Sequence, residues 1–529
     1  MTATMFRSEV TDTGVGLGHL IRAEWTKFRT VRGWPIGMLV AALVTVAVGL
    51  VGPAGTTVTC SNPTAPTCAL AHTPPTGPNG EPVHDGYYFV HQAVTGDGSI
   101  TVRVTSLTGY YPINGSRPAN LGPLAGLAPG VQPWTKAGVL ITPGTRPGAA
   151  YAAVTVTGGH GVRMQYDYTH DVAGLPGAVT ADSPRWLRLT RHGDALTGAN
   201  STDGTHWHVI GSTTMAGLPS TVQAGMFTTS PAYTATSHSF GRGSSRGGPT
   251  QATAAFDQVS LRANGSTGAW QGTDVGGAGG AVGPSTGYRA TPTGFTVSGT
   301  GDIAPLVAEA GETAKPIETG LVGMFAGLIA VIVVAAMFMT AEYRRDLIRT
   351  TLSASPRRSR VLAAKSIVVG AVGFVTGLVS AGLAVPVVAA LERAKGLYMF
   401  PASTGAEVRV VLGTAALVAV AAVLAVSAGT IVRRGAGAVT VVIVAIVLPY
   451  LLSVASVLPQ GAAEWLLRVT PAAAFAIQQT VVRYPQVAAS YSPTDGYFPL
   501  PPWAGFGVLC AYTAVALVAA TVLLRRRDA

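Results

Sequence analysis

The stretch Leu321-Val-Gly-Met-Phe-Ala-Gly-Leu-Ile-Ala-Val-Ile-Val-Val-Ala-Ala-Met-Phe-Met-Thr-Ala341 contains no ionisable side chain, and it runs directly into Glu342-Tyr-Arg-Arg-Asp-Leu-Ile-Arg-Thr-Thr-Leu-Ser-Ala-Ser-Pro-Arg-Arg-Ser-Arg360. A helix crosses the hydrocarbon core of a bilayer with about 20 apolar residues, and a charge in that core is costly. The boundary at Ala341 and Glu342 therefore reads as the point where a membrane helix emerges into water. Five further runs of this kind occur, at 34–52, 366–391, 410–432, 436–458 and 503–524, and none carries Asp, Glu, Lys, Arg or His in its central part. Six transmembrane helices are expected, with Pro386 and Pro449 as possible kink points.

Composition agrees with a chain that lives largely in lipid. Of its 529 residues 48% are hydrophobic and only 11% charged, against about a quarter charged in ordinary soluble domains. Residues 53–318 differ from the rest in being rich in Gly, Thr, Pro and Ser. The net charge of +11 does not point to nucleic acid, because the basic residues stand at the ends of apolar runs rather than along an aromatic-laced patch. Lys and Arg concentrate on the cytoplasmic side of short loops. Arg7, Arg22, Lys27, Arg29, Arg32, seven residues between 344 and 365, Arg433, Arg434 and the Arg525-Arg-Arg527 end put 17 on one side, whereas Arg393, Lys395, Arg409, Arg468 and Arg483 put 5 on the other. Both termini are thus expected in the cytoplasm and residues 53–320 outside. The first run resembles a signal peptide in its flanks, but the 33 residues before it read as a helix of their own, so a retained anchor is expected. Cys60 and Cys68 follow it; outside the cell they would close a short disulfide loop, and the other reading is two free thiols in a linker. The absence of buried ionisable groups from the spans argues against a proton- or sodium-driven transporter.

Ahead of the first span, His19-Leu-Ile-Arg-Ala-Glu-Trp-Thr-Lys-Phe-Arg-Thr-Val-Arg-Gly-Trp34 places Leu17, Ile21, Trp25, Phe28 and Arg32 on one stripe, the pattern of a helix lying in the membrane interface. After the second span, Glu342 and Asp346 precede Arg345 and Arg349 at helical spacing, and Pro356 stops the run. The phrases Ala-Glu-Trp-Thr-Lys-Phe-Arg-Thr-Val-Arg and Glu-Tyr-Arg-x-x-x-Ile-Arg-Thr-Thr-Leu-x-Ala-x-Pro-Arg-Arg, together with Glu464-Trp-Leu-Leu-Arg-Val-Thr-Pro-Ala-Ala-Ala-Phe-Ala-Ile-Gln-Gln479, resemble the permease subunits of actinobacterial type-two ABC exporters. That resemblance implies ATPase-coupling roles for Glu24, Lys27, Arg29, Glu342, Arg344, Arg345 and Arg349, and re-entrant helices within 459–502. Asp346 departs from the family pattern, where glycine is more frequent. A solvated charge run that merely obeys the positive-inside rule is the simpler reading of the arginines. No phosphate-binding Gly-x-x-x-x-Gly-Lys-Ser/Thr loop occurs, so the ATPase is expected on a separate chain, and six spans call for a second permease subunit, identical or homologous.

Between the first two spans, residues 53–86 read as a Pro-, Thr- and Gly-rich linker, and strict alternation begins at Ser99-Ile-Thr-Val-Arg-Val-Thr-Ser-Leu107. Further strand signals follow at sandwich-like intervals, with Asp203-Gly204 as a hairpin turn. The phrases Val94-Thr-Gly-Asp-Gly-Ser-Ile-Thr-Val-Arg-Val104, Pro133-Trp-Thr-Lys-Ala-Gly-Val-Leu-Ile141, Asn200-Ser-Thr-Asp-Gly-Thr-His-Trp207 and Phe256-Asp-Gln-Val-Ser-Leu261 resemble concanavalin-like, laminin-G-like β-sandwich modules. The resemblance implies glycan binding, with Trp134, Lys136, Tyr166, Trp186 and Trp207 as candidates to stack or hydrogen-bond. The plainer reading makes Trp186 and Trp207 core residues and the domain a spacer. A glycosidase would need two facing carboxylates, and the aspartates lie mainly at turns, so neither catalysis, a metal nor a cofactor is expected.

The expected organisation is a cytoplasmic N-terminus with its interfacial helix at 1–33, a span at 34–52, the linker, an all-β sandwich at 87–305, a second linker at 306–320, a span at 321–341, a charged cytoplasmic helix at 342–360, and four spans within 361–529. The expected activity is that of an ABC transporter permease, an exporter by resemblance. The rival expectation is a membrane-anchored protein that binds a cell-wall glycan and transports nothing.

Overall fold

The computed structural model describes residues 16–55, 73–112, 127–239, 242–277, 286–308, 314–344, 358–455, 458–489 and 491–527. Contacts divide the chain into two compact units: a helical one of Met1–Thr59, Ala314–Val481 and Ser492–Ala529, and a β unit of Cys60–Thr313 with Val482–Tyr491. Cys60 and Cys68 lie outside the described residues, as do Arg345 and Arg349.

The helical unit contains α1 (Leu17–Thr30), α2 (Gly33–Gly55), α3 (Met324–Arg344), α4 (Arg358–Ala394), α5 (Thr404–Val432), α6 (Gly435–Val454), α7 (Gln460–Val469) and α8 (Pro502–Arg527). Among the described residues, six of these, α2 to α6 and α8, are long and apolar enough to cross a membrane. Pro386 lies inside α4 and Pro449 inside α6. After α7 the residues Pro471–Gln478 form a 3-10 helix, and all of them are buried.

Helices in lipid gain little from hydrophobic exclusion and associate through close packing of small residues. Here α4 meets α5 through Gly370, Gly373 and Gly377: a Cβ at Gly377 would stand 2.8 Å from Ala415 Cα and 3.0 Å from Val418. The inward residues of α1 are Glu24 and Phe28, while Leu17 and Trp25 are exposed.

The β unit is built on one antiparallel sheet of thirteen strands, with two separate two-stranded pairs beside it. Its main strands are β1 (Tyr87–Pro112), β2 (Lys136–Thr142), β3 (Ala152–Thr157), β4 (Val162–Tyr166), β5 (His170–Ala173), β6 (Arg185–His192), β7 (Ala195–Ser201), β8 (His208–Thr214), β9 (Thr221–Thr229), β10 (Gln251–Val275) and β11 (Gly294–Gly299). Pairing runs β8-β7-β6-β1-β9-β2-β3-β4-β5, with β10 along β1 and β11 on β10. The sheet folds over itself, so that Leu187, Leu189 and Leu196 of one layer share a core with Val139, Val154 and Met164 of the other. The layers close tightly at Gly198, where a Cβ would lie 2.7 Å from both Met164 Sδ and a Val154 methyl. Entry and exit of the insertion pair with each other, Val83–Asp85 against Ile303–Pro305, so the chain leaves beside where it came in, as insertion into another domain requires.

The late segment Val482–Tyr491 completes this unit. Gln486 Nε2 donates to Tyr168 O at 3.4 Å and Thr169 O at 3.2 Å. It thereby holds a turn in which Asp167 and Tyr168 have φ of 45° and 60°, a conformation that costs about 1–3 kcal/mol per non-glycine residue.

The glycine contact between α4 and α5 can be tested directly. Gly377→Val is expected to destabilise the detergent-purified protein by about 1–3 kcal/mol, whereas Gly382→Val, where a Cβ meets nothing within 4 Å, leaves the thermal midpoint unchanged.

Candidate coupling site

Two lysines and two glutamates from three helices meet at one end of the helical unit. Glu24 is delivered by α1, Glu342 by the last turn of α3, and Lys365 by the N-terminal turns of α4, which begins eight residues before the apolar run. Lys365 Nζ lies 2.7 Å from Glu24 Oε2 and 2.6 Å from Glu342 Oε1. Lys27 Nζ lies 2.9 Å from Glu24 Oε1 and 3.2 Å from the same Glu342 oxygen. The Lys365 side chain is 0% exposed and that of Lys27 44%. The cluster is neutral overall, which is what allows Glu24, Glu342 and Lys365 to sit so deep, with Lys27 at its edge. Aromatic rings close it: the Phe338 ring lies 4.8 Å from the Lys365 ammonium, with Phe28 edge-on to Phe338. Burial works to lower the Lys27 pKa, but the hydrogen bond to Glu24 and the charge of Glu342 outweigh it and hold the ammonium above its ordinary value. Glu342 Oε2 is buried and has no hydrogen-bond partner among the described residues, so one acceptor of the clasp is open.

Of the residues expected to couple to an ATPase, the structure thus brings Glu24, Lys27 and Glu342 together. Arg29 is exposed on α1, Arg344 ends α3, and Arg345 and Arg349 lie outside the described residues. Sequence reasoning missed Lys365, counting it only as one more positive charge. The available signal was that a lysine, rare in this chain, stands at the mouth of an apolar run.

The residues expected to bind glycan are placed differently. Lys136 is 1% exposed, paired with Asp302 at 2.7 Å and donating to Ile303 O at 2.5 Å, so it stabilises the interior of the β unit. Trp134 is 6% exposed and stacks on His160 at 3.9 Å. Tyr166 is half-buried and stacks on His170 at 4.4 Å.

A second carboxylate holds the other end of α3. Glu318, in the 3-10 turn Ile317–Leu321 that leads into α3, is buried. It accepts Thr480 N–H at 2.9 Å and the Thr480 hydroxyl at 2.5 Å. Gly496, at φ 92°, packs so closely that a Cβ would lie 2.6 Å from Glu318 Oε1. Burial pushes the Glu318 pKa up to about 7, against the Thr480 hydrogen bonds and the charge of Arg409.

Removing the central ammonium should be severe. Lys365→Met leaves two buried carboxylates sharing the single, half-exposed Lys27 and is expected to cost about 3–5 kcal/mol, whereas the triple variant Glu24→Gln, Glu342→Gln, Lys365→Met recovers most of that loss; thermal unfolding in detergent reads both. For Glu318 the folded state holds its proton more tightly than the unfolded chain. Stability is therefore expected to fall as pH rises from the ordinary glutamate value of 4.5 to about 7, since the unfolded state deprotonates first. Glu318→Gln should remove that part of the pH dependence in melts taken across the window.

Comparison with known proteins places the helical unit. A family model described as "ABC-2 family transporter protein" matches residues 205–529, more than half of the chain. No curated protein matches. Among solved structures, a functionally unknown protein from Saccharomyces cerevisiae is similar at 15% identity over 36% of this chain and 84% of that one, with a TM-score of 0.18. Scytalido-glutamic peptidase bound to a peptide-based transition-state analogue is similar at 8% identity over 41% and 98%, with a TM-score of 0.23. A mutant GH43 protein from Bacillus licheniformis is similar at 14% identity over 25% and 24%, with a TM-score of 0.16. Likenesses this slight carry no argument. The family match, joined to six apolar helices of spanning length, does: the chain belongs to the ABC-2 transporter family and is a multi-pass plasma-membrane subunit of an ABC transporter.

Proposed function

We propose that this subunit is the permease of an exporter, driven by ATP hydrolysis on a separate chain that docks at the clasp of Glu24, Lys27, Glu342 and Lys365. The observation that carries the reading is that one neutral cluster ties the helix before the first span to the end of the second, so a push on either is felt by both. The half-exposed Lys27 is the group of the clasp that an ATPase surface could engage. The resemblance of the two flanking phrases to exporter permeases gives Arg29, Arg344, Arg345 and Arg349 coupling roles as well. A second permease, a copy or a homologue, completes the pathway. The excess of Lys and Arg on this side puts both termini in the cytoplasm and the β unit outside.

The test is purification of the tagged chain from its native membrane, followed by an ATPase assay. A nucleotide-binding subunit and ATP hydrolysis are expected to co-purify, and the triple variant Glu24→Gln, Glu342→Gln, Lys365→Met, which leaves no buried charge orphaned, should lose that recovery while expression is retained. A chain that purifies alone and hydrolyses nothing returns the helices to the role of an anchor. Orientation is read separately, in a background with all three cysteines replaced. Thr205→Cys should react with an impermeant maleimide on intact cells, and Thr26→Cys only after permeabilisation.

A further inference from the structure

The arginines of the β unit are spent in different ways. Arg103 grips Asp257 with two hydrogen bonds of 2.7 and 2.6 Å, and Arg163 grips Asp171 likewise. Arg185 and Arg191 donate to main-chain carbonyls. Arg188 does neither. Its guanidinium carbon lies over the Trp207 ring, 3.7 Å from the centroid, and its Nε donates to Thr101 Oγ1 at 3.1 Å. Trp207 is itself fixed by a hydrogen bond from Nε1 to Gly204 O at 3.1 Å. Stacking and the Nε bond orient the group, while both terminal nitrogens have no partner among the described residues. A guanidinium held this way has lost its rotational freedom beforehand, and its two free N–H edges match the two oxygens of a carboxylate or phosphate.

A second arginine stands beside it. Register puts Arg188 of β6 opposite Thr101 of β1, and Arg262 of β10 opposite Ser99 of β1. Thr101 and Ser99 alternate with the buried Ile100 and Val102, so both arginines project from the outer face, one on each side of β1. Arg262 is exposed, and no carboxylate pairs with it or with Arg188 among the described residues. Burial and the charge of Arg262 both lower the pKa of Arg188, as unscreened like charges do. Around them lie the hydroxyls of Ser99, Thr101 and Thr190. Two unneutralised cations set in a hydroxylated face complement an anion carried on a hydroxylated scaffold.

We propose that the outer face carrying Arg188, Arg262 and Trp207 binds an anionic polysaccharide, with Arg188 taking a carboxylate or phosphate group through its terminal nitrogens. The choice of a polysaccharide rests on the outward placement of the β unit proposed above; the binding itself does not. The test therefore uses the full-length chain in phosphatidylcholine nanodiscs, where both sides of the membrane are accessible whatever the orientation. Polygalacturonate, poly(glycerol phosphate) and size-matched dextran are titrated by interferometry. At least one of the two anionic polymers is expected to bind and dextran not. Arg188→Gln and Arg262→Gln should each weaken binding about tenfold or more, with Arg289→Gln, an exposed arginine elsewhere on the unit, unchanged. Arg262 and Arg289 are exposed and Arg188 half-buried, and unaltered melting curves verify that the variants fold. The proposal fails if neither anionic polymer binds, if the Arg188 and Arg262 variants bind as the parent does, or if phosphatidylglycerol vesicles bind through Arg188 and the polysaccharides do not.

Discussion

The Lys365 ammonium has no contact with solvent and lies within 2.7 Å of two carboxylates belonging to other helices. Taking an ion out of water costs several kcal/mol even after relaxation, and the cost is recovered only while well-placed counter-charges remain in position. This constrains three helices at once. The interfacial helix α1 cannot lift from the bundle without orphaning Glu24. The end of α3 cannot shift without orphaning Glu342. Arrangements intermediate between made and broken are the least favourable of all, so the cluster favours discrete positions of α1, α3 and α4.

The same helix is held above as well as below. From Met324 to Arg344, α3 is 21 residues long, or about 30 Å at 1.5 Å per residue. Glu318 is fastened to Thr480 just before it begins, and Glu342 is fastened to two lysines where it ends. Both attachments are carboxylates lying just beyond the apolar run, where a charge can still be accommodated. They join α3 to different neighbours: to the chain after the buried 3-10 segment at one end, and to α1 and α4 at the other.

Membrane spans were legible because lipid imposes one simple demand, an uncharged run of sufficient length. Strand alternation was legible for a similar reason, since inward and outward residues face different solvents. What could not be read were pairings between distant positions. Lys365 and Glu24 are separated by 341 residues, and nothing local distinguishes a lysine that will be buried from one that merely obeys the positive-inside rule. The apolar moment of α1 likewise pointed to Trp25, while the contact that seats the helix is made by Glu24. Lys136 stood in a phrase suggestive of ligand binding, but its partner Asp302 lies 166 residues on and encloses it. Trp207, whose plainer reading was a core residue, is half-buried beneath a guanidinium.

The contribution of Val482–Tyr491 to the β unit bears on how the chain is made. Residues 314–481 separate this segment from the rest of its unit, and they contain α3, α4, α5 and α6. Ribosomes add about 5–20 residues per second, so the turn at Asp167 and Tyr168 waits on the order of ten seconds or more before Gln486 exists to hold it. The β fold is therefore sealed only after four more helices of membrane-spanning length have been synthesised. Chain order makes maturation of the β unit contingent on progress of membrane insertion, so an unsealed turn marks a nascent chain whose helical part is unfinished.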